Sequence, residues 1–171
     1  MLQSSIPKIT CVGCGALVPD SDGGTDERNN ASAGCFALYS DVSGRHFSDI
    51  YYGSIIDFSS DAYSLQHPGT PSPRTIKSNA VHFISLYLQL EKGYNRLAAA
   101  RAKQQAATDH KDTFTWLEPP ASMGLITVVN IHAEQDPVAR IELVKHWAAT
   151  VWAAWHTRHA IIGKWAALLN A

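Results

Sequence analysis

The chain of 171 residues has few cysteines, almost no net charge and no long apolar run. No stretch approaches the roughly 18 apolar residues that a membrane span needs, so we expect no membrane association. A net charge of −1 with scattered Lys and Arg argues against binding to nucleic acid. Residues 1–10 lack the basic and apolar regions of a secretory signal, so we expect a cytoplasmic protein. In a reducing compartment, three cysteines favour metal or thiol chemistry over a disulfide framework.

The composition is typical of a compact helical protein. Hydrophobic residues make up 46% of the chain and charged residues 17%, which suits a single domain of this length. Residues 1–33 are rich in Gly, Asp, Asn and Ser and have few periodic apolar positions, so we expect a cysteine-containing loop arm there. Residues 34–171 are expected to form a helical bundle.

Capping and breaking residues predict the first two helices. Ser32 is a suitable N-cap for a helix that we expect to stop at Gly44. Ser48 can cap a second helix over residues 49–66, and the prolines and glycine of the segment "HPGTPSPR" end it.

The rest of the chain also favours helices. Apolar positions recur at helical spacing over residues 74–91, on enough sides to predict a central, buried helix. The alanine-rich residues 92–112 read as a helical or frayed excursion, and "LITVVNIHA" as a short helix rather than a lone strand. Asp136 and Pro137 start a long helix that we expect to continue to residue 169. The predicted fold is an all-α bundle of four or five helices.

The segment "CVGCG" at residues 11–15 is the clearest chemical signal. Two cysteines two apart, with glycines beside them, are typical of a metal-binding knuckle, because small residues let the backbone turn towards both thiolates. A redox pair would normally start a helix after a strand, a pattern that residues 5–20 do not show. Metal binding by Cys11 and Cys14 is favoured over a redox couple or chance, and zinc suits thiolate and imidazole donors.

A closed zinc site needs two more ligands. Cys35 opens the first predicted helix and His67 closes the second, so an antiparallel helical hairpin would bring them together. The expected ligand set is Cys11, Cys14, Cys35 and His67, with His82 in reserve. Either added residue could instead be structural, Cys35 as a small core residue and His67 as a helix cap.

Five segments resemble one known family. "CVGCG", "AGCFALYSDV", "SDAYSLQHPG", "FTWLEPP" and "WAATVWAAWHTRHAIIGKW" are similar, in that order, to the family catalogued as domain of unknown function 5946. The resemblance spans about residues 11–165. The chain departs from the family pattern at Phe36, where tryptophan is usual, at Phe83, and in the insert near residues 95–112. The family carries no known activity; the resemblance implies that the cysteines, His67 and His82 fall in its motif segments.

A second candidate site lies in "WHTRH" at residues 155–159. On a continuous helix, Arg158 and His159 fall close to the apolar stripe, where a guanidinium must be paired or must line a cavity. The structural explanation pairs Arg158 with a carboxylate such as Glu118 or Asp61. The functional explanation is a group that binds an anion or carbonyl in a bundle pocket.

Two classes of function follow from these features. The first is a zinc-containing enzyme, a lyase, isomerase or hydrolase, that acts on a small organic molecule in a pocket near the metal or the C-terminal helix. Its expected polar groups are Arg158, His159, His82 and Tyr63. The alternative is a non-catalytic, zinc-stabilised module that binds a partner protein. The sequence specifies neither a substrate nor an oligomeric state.

Overall fold

A computed structural model describes residues 7–169. Within this range the chain is mostly helical, which confirms the expected fold class, and its single sheet has two short strands. The described residues form seven α-helices, more than the four or five predicted. The strands are β1 (Lys8–Thr10) and β2 (Leu17–Pro19); the helices are α1 (Ala33–Ser48), α2 (Ile56–Gln66), α3 (Pro73–Leu90), α4 (Arg96–Asp109), α5 (Val128–Ala133), α6 (Pro137–Ala154) and α7 (His159–Ala166).

The N-terminal arm is partly ordered as a β-hairpin, which the sequence analysis did not predict. β1 and β2 pair in antiparallel fashion, with Ile9 opposite Val18. Only Val18 in these strands is fully buried, so the period-2 pattern is too short to recognise in the sequence. The predicted loop arm also includes residues 1–6, which lie outside the described range.

Helix α1 starts at the predicted position but continues past Gly44 to Ser48, so the predicted stop was wrong. A glycine inside a helix costs only about 1 kcal/mol, and burial of Val42 and His46 on either side favours continuation. His46 packs against Tyr52, with ring centroids 5.0 Å apart. Neither ring nitrogen of His46 has a hydrogen-bond partner among residues 7–169.

The second helix begins later than predicted. Ser48 belongs to α1 and is not an N-cap; Asp49 instead accepts a hydrogen bond from the backbone of Tyr51 and caps a short 3-10 turn over Ile50–Tyr52. Helix α2 then begins at Ile56. The chain bends between the two helices because Tyr52 and Ile55 both enter the core.

Helix α3 matches its prediction within one residue at each end. Ser72 and Thr75 form a capping box and Pro73 occupies the first turn, which fixes the start of the helix. The helix packs against α2, α4, α6 and α7, so it is central, as predicted.

The long C-terminal helix is broken, so the predicted continuous helix over residues 137–169 was wrong. Helix α6 ends at Ala154, a 3-10 turn covers His156–Arg158, and α7 follows. At the break, the Trp155 indole donates to the carbonyl of Leu65 over 3.2 Å. The side-chain directions inferred from a continuous helix therefore do not apply beyond Ala154.

A buried glutamine joins α2, α6 and the loop before α5. Nε2 of Gln66 donates to the carbonyls of Met123 and Ile126, over 3.0 and 2.8 Å, and its Oε1 accepts from the Trp147 indole. The loop is thereby held beside the end of α2, where His67 lies. Among residues 7–169, no helix is both long and apolar enough to cross a membrane.

Candidate metal centre

The turn of the β-hairpin presents the first two thiols. The backbone N–H of Cys11 donates to the carbonyl of Ala16 over 2.8 Å, and that of Gly15 donates to the carbonyl of Cys11 over 2.9 Å. Gly15 has a φ of 75°, a left-handed conformation that favours glycine. Gly15 thus serves the tight turn that presents Cys11 and Cys14.

Helices α1 and α2 supply the other two donors. Cys35 lies in the first turn of α1 and is fully buried; His67 follows the last residue of α2 and is also fully buried. The Cys35 Sγ and the His67 Nε2 are 3.4 Å apart. The predicted antiparallel arrangement, in which the start of one helix meets the end of the next, therefore brings this pair together.

All four predicted donors form one cluster. The Sγ atoms of Cys11, Cys14 and Cys35 and a ring nitrogen of His67 all lie within 4.8 Å of one another. Cys14 and Cys35 are 3.9 Å apart between sulfur atoms, and Cys11 Sγ lies 3.6 Å from His67 Nε2. In a tetrahedral zinc site with ordinary bond lengths, these separations would be about 3.8 Å and about 3.6 Å. The donor set could therefore hold a metal ion.

Groups around the donors hold them in place. Nδ1 of His67 donates to the carbonyl of Tyr63 over 2.7 Å, which orients the ring so that Nε2 faces the thiols. The backbone N–H of Ser32 donates to Cys11 Sγ over 3.4 Å, and its hydroxyl accepts from Val12 in the knuckle. Ser32 occupies the predicted N-cap position, but its side chain ties the hairpin to α1 instead of capping the helix.

Two glycines allow the close packing of this centre. A Cβ on Gly13 would lie 2.4 Å from Cδ2 of His67. A Cβ on Gly34, the residue before Cys35, would lie 1.9 Å from the carbonyl oxygen of Pro19 at the end of β2. Both distances are far below van der Waals contact, so any side chain at either position would move the donors apart.

The proton affinities of the donors are strongly coupled. Hydrogen bonds from Cys14 and Cys35 lower the pKa of Cys11, although burial acts in the opposite direction. Hydrogen bonds to Cys11 and Cys14, together with burial, raise the pKa of Cys35. Burial alone would lower the pKa of His67, but its bonds with Cys11 and Cys14 raise it to about 9. A metal must displace the protons that this cluster binds, so metal affinity falls at low pH.

Residues 9–156 match the model of a family of unknown function, DUF5946. The chain belongs to this family. No curated protein and no solved structure matches the chain. The DUF5946 match covers the four clustered donors and His82, whereas Arg158 and His159 lie beyond its end.

Four of the DUF5946-like segments meet at the candidate metal centre. "CVGCG" provides two donors, "AGCFALYSDV" provides Cys35 and "SDAYSLQHPG" provides His67. "FTWLEPP" contributes Pro119 and Pro120 to a cavity of about 370 Å³ that Cys11, Cys14 and Pro68 also line. Segments far apart in the sequence are therefore neighbours around one site.

The residues predicted to be catalytic lie in different places. Tyr63 is buried beside the donors, with its ring 4.3 Å from that of His67, and burial raises the pKa of its hydroxyl above the usual range. The ring of His159 stacks on Trp152 at 3.8 Å, and its Nε2 donates to the carbonyl of Trp152. His82 lies on α3 and contacts Asp61. The catalytic roles of these residues stay predictions.

Arg158 makes neither of the ion pairs expected for it. Its Nη2 donates to the backbone carbonyl of Glu118 over 3.4 Å, not to the carboxylate. The carboxylate of Asp61 is instead occupied by His82 and Lys103. The expectation of a carboxylate partner was wrong because it assumed an unbroken helix through residue 158.

Asp61 is a functional candidate that was not predicted from the sequence. Its side chain is completely buried, and its Oδ1 lies 2.7 Å from Nδ1 of His82 and 3.1 Å from Nζ of Lys103. The only indication in the sequence is a lone carboxylate among the small and apolar residues of "FSSDAYSLQ", which would require a partner if it were buried.

Proposed function

We propose that Cys11, Cys14, Cys35 and His67 bind a structural zinc ion that fastens the N-terminal hairpin to the helical bundle. The observation that supports this proposal most directly is the distance set: four soft or borderline donors within 4.8 Å of one another. Three thiolates and an imidazole favour zinc over magnesium or calcium, which prefer oxygen donors.

A structural role is favoured over a Lewis-acid role. A catalytic zinc has three protein ligands and keeps one position open for water or substrate, whereas four protein donors close the coordination sphere. Cys11, Cys35 and His67 are at most 1% exposed, and Cys14 is only half-buried. A small molecule would therefore not bind to the ion itself, although the cavity lined by Cys11 and Cys14 lies beside it.

The zinc would add a strong link between the arm and the bundle. The arm before α1 otherwise meets the bundle at β2, which packs on α1, through the ion pair of Glu27 with Arg74, and at Asn30, whose side chain accepts from the backbone of Gly69. A structural zinc contributes on the order of 10 kcal/mol of apparent binding energy, comparable with the net stability of a domain. Loss of the ion should thus release the arm and destabilise the helices that it contacts.

Elemental analysis of the purified protein tests the proposal. We expect one zinc per chain in the wild type and a large loss of zinc in Cys14→Ser and His67→Gln. His156→Gln is the matched control, since His156 is exposed and belongs to no donor cluster. Complete chelation should lower the melting temperature strongly. Absence of zinc before and after reconstitution would contradict metal binding, and an unchanged melting temperature after metal removal would contradict the structural role.

A further inference from the structure

A second cavity lies on the outer side of α3, between this helix, α4 and the arm. Its volume is about 310 Å³, at the lower end of the range for small-molecule sites. One face of α3 lines the cavity with four polar side chains at helical spacing: Arg74, Lys77, Ser78 and His82. Arg28 lines it from the arm.

One polar group that lines this cavity is a histidine held by a buried carboxylate. Nδ1 of His82 lies 2.7 Å from Oδ1 of Asp61, and the Asp61 side chain is 0% exposed. Burial acts to raise the pKa of Asp61, but Lys103 and His82 outweigh it and lower the pKa, so Asp61 is an anion. Nδ1 of His82 therefore carries a proton that it donates to Asp61.

The other ring nitrogen of His82 is free to act on a ligand. Nε2 makes no hydrogen bond within residues 7–169. It is also not fully buried, because the fully buried atoms without a partner in that range do not include it. It therefore reaches the open space of the cavity that the ring lines. A neutral imidazole held in this way accepts a proton at Nε2, and the charged form donates one.

The rim of the cavity carries unmatched positive charge. Arg28 pairs with Asp26 over 2.6 Å, and Arg74 pairs with Glu27 over 2.8 Å. Lys77 has no acidic partner within 4 Å in the described part of the chain, and no carboxylate lines the cavity there. The two arginines are each paired with a carboxylate, and the charge of Lys77 is left over.

We propose that this cavity binds a small molecule with an oxyanion group, a phosphate or a carboxylate. Lys77 provides the main charge partner, and His82 hydrogen-bonds the ligand through Nε2 and exchanges a proton with it. Asp61 fixes the tautomer and orientation of His82. A purely structural ion pair would need only Asp61 and Lys103, and it would not explain a histidine that faces a cavity lined by cations. This site uses none of the zinc donors.

Titration of the full-length, metal-loaded protein with inorganic phosphate or citrate tests the proposal. By calorimetry, we expect Lys77→Gln to weaken binding of the preferred anion by about tenfold. Lys164→Gln is the matched control: Lys164 is an exposed lysine on α7 that does not line the cavity, and its replacement should leave the affinity unchanged. By NMR, the Nε2 resonance of His82 should shift during the titration, and that of the exposed His156 should not.

The two anions distinguish the ligand class. Tighter binding of phosphate assigns a phosphate-bearing ligand, and tighter binding of citrate assigns a carboxylate-bearing one. The proposal is overturned if neither anion binds, if Lys77→Gln and Lys164→Gln bind equally well, or if His82 does not respond. Failure of the zinc proposal would appear in the metal content instead, so the two results are separable.

Discussion

The contact between α1 and the hairpin at Gly34 leads to a sharp prediction for Gly34→Ala. An alanine Cβ would lie 1.9 Å from the carbonyl oxygen of Pro19. Ordinary contact requires a separation more than 1 Å greater, so β2 or α1 must move by roughly that distance. The neighbouring Cys35 would move away from Cys11 and Cys14, and metal affinity should fall.

Gly44→Ala is a matched control in the same helix. Nothing lies within 4 Å of a Cβ at Gly44, so the substitution should stabilise the protein by about 0.5–1 kcal/mol through helix propensity alone. Gly34→Ala gains the same propensity but adds an overpacking cost of about 1–3 kcal/mol or more. We therefore expect Gly34→Ala to be about 1–3 kcal/mol less stable than Gly44→Ala.

Urea unfolding at fixed free zinc measures the difference between these variants, and chelator competition measures the zinc affinity of each. The reasoning is refuted if Gly34→Ala is as stable as Gly44→Ala and also binds zinc as tightly as the wild type. A loss of stability in both variants would refute the assignment of the effect to the hairpin contact.

Two further substitutions test His46 and Arg158. Burial, assisted by the charges of Arg140 and Arg45, lowers the pKa of His46 from 6.5 to about 4. The folded protein therefore favours the neutral histidine: this stabilisation is complete above pH 6.5 and is lost as the pH falls towards 4. His46→Phe should be at least as stable as the wild type at pH 7, because neither ring nitrogen of His46 has a partner in the described chain. On acidification, the free energy of unfolding of this variant should fall by up to about 3 kcal/mol less than that of the wild type. Parallel pH profiles of the two proteins in chemical denaturation would contradict this. Arg158→Met should cost less than about 1.5 kcal/mol in a thermal melt, since it removes one long bond to a carbonyl, whereas a drop of 3–5 kcal/mol would reveal a buried ion pair. If Arg158 binds an anion, sulfate should stabilise the wild type and not this variant.

The cluster of four metal-binding candidates was predictable because it depends on helix ends. Ser32 and the prolines after His67 mark the start of α1 and the end of α2, and two antiparallel neighbours place those ends together. The spacing of Cys11 and Cys14 already indicated a knuckle. No pattern in the sequence indicated that Gly34 would contact β2, because that contact depends on how the hairpin docks.

The surroundings of the second candidate site, in "WHTRH", could not be predicted from the sequence. At the break after Ala154, the Trp155 indole bonds the distant carbonyl of Leu65 and the His159 ring bonds the carbonyl of Trp152. Neither contact leaves a recognisable pattern in "WHTRH". Angles extrapolated along an unbroken helix therefore gave Arg158 the wrong surroundings. The pairing of His82 with Asp61 was equally hidden, since it joins residues 21 positions apart on different helices.

The donors of the metal centre also lie far apart along the chain, and this separation has a consequence for the unfolded protein. Cys11 and His67 are separated by 56 positions, so a bound ion would act as a cross-link that closes a long loop. A permanent cross-link of this length would remove conformational entropy worth about 4 kcal/mol from the unfolded chain. A reversible one ties stability to the concentration of free ion, since stabilisation grows with the logarithm of that concentration above the dissociation constant. The lifetime of the protein in a cell would then follow the supply of the metal.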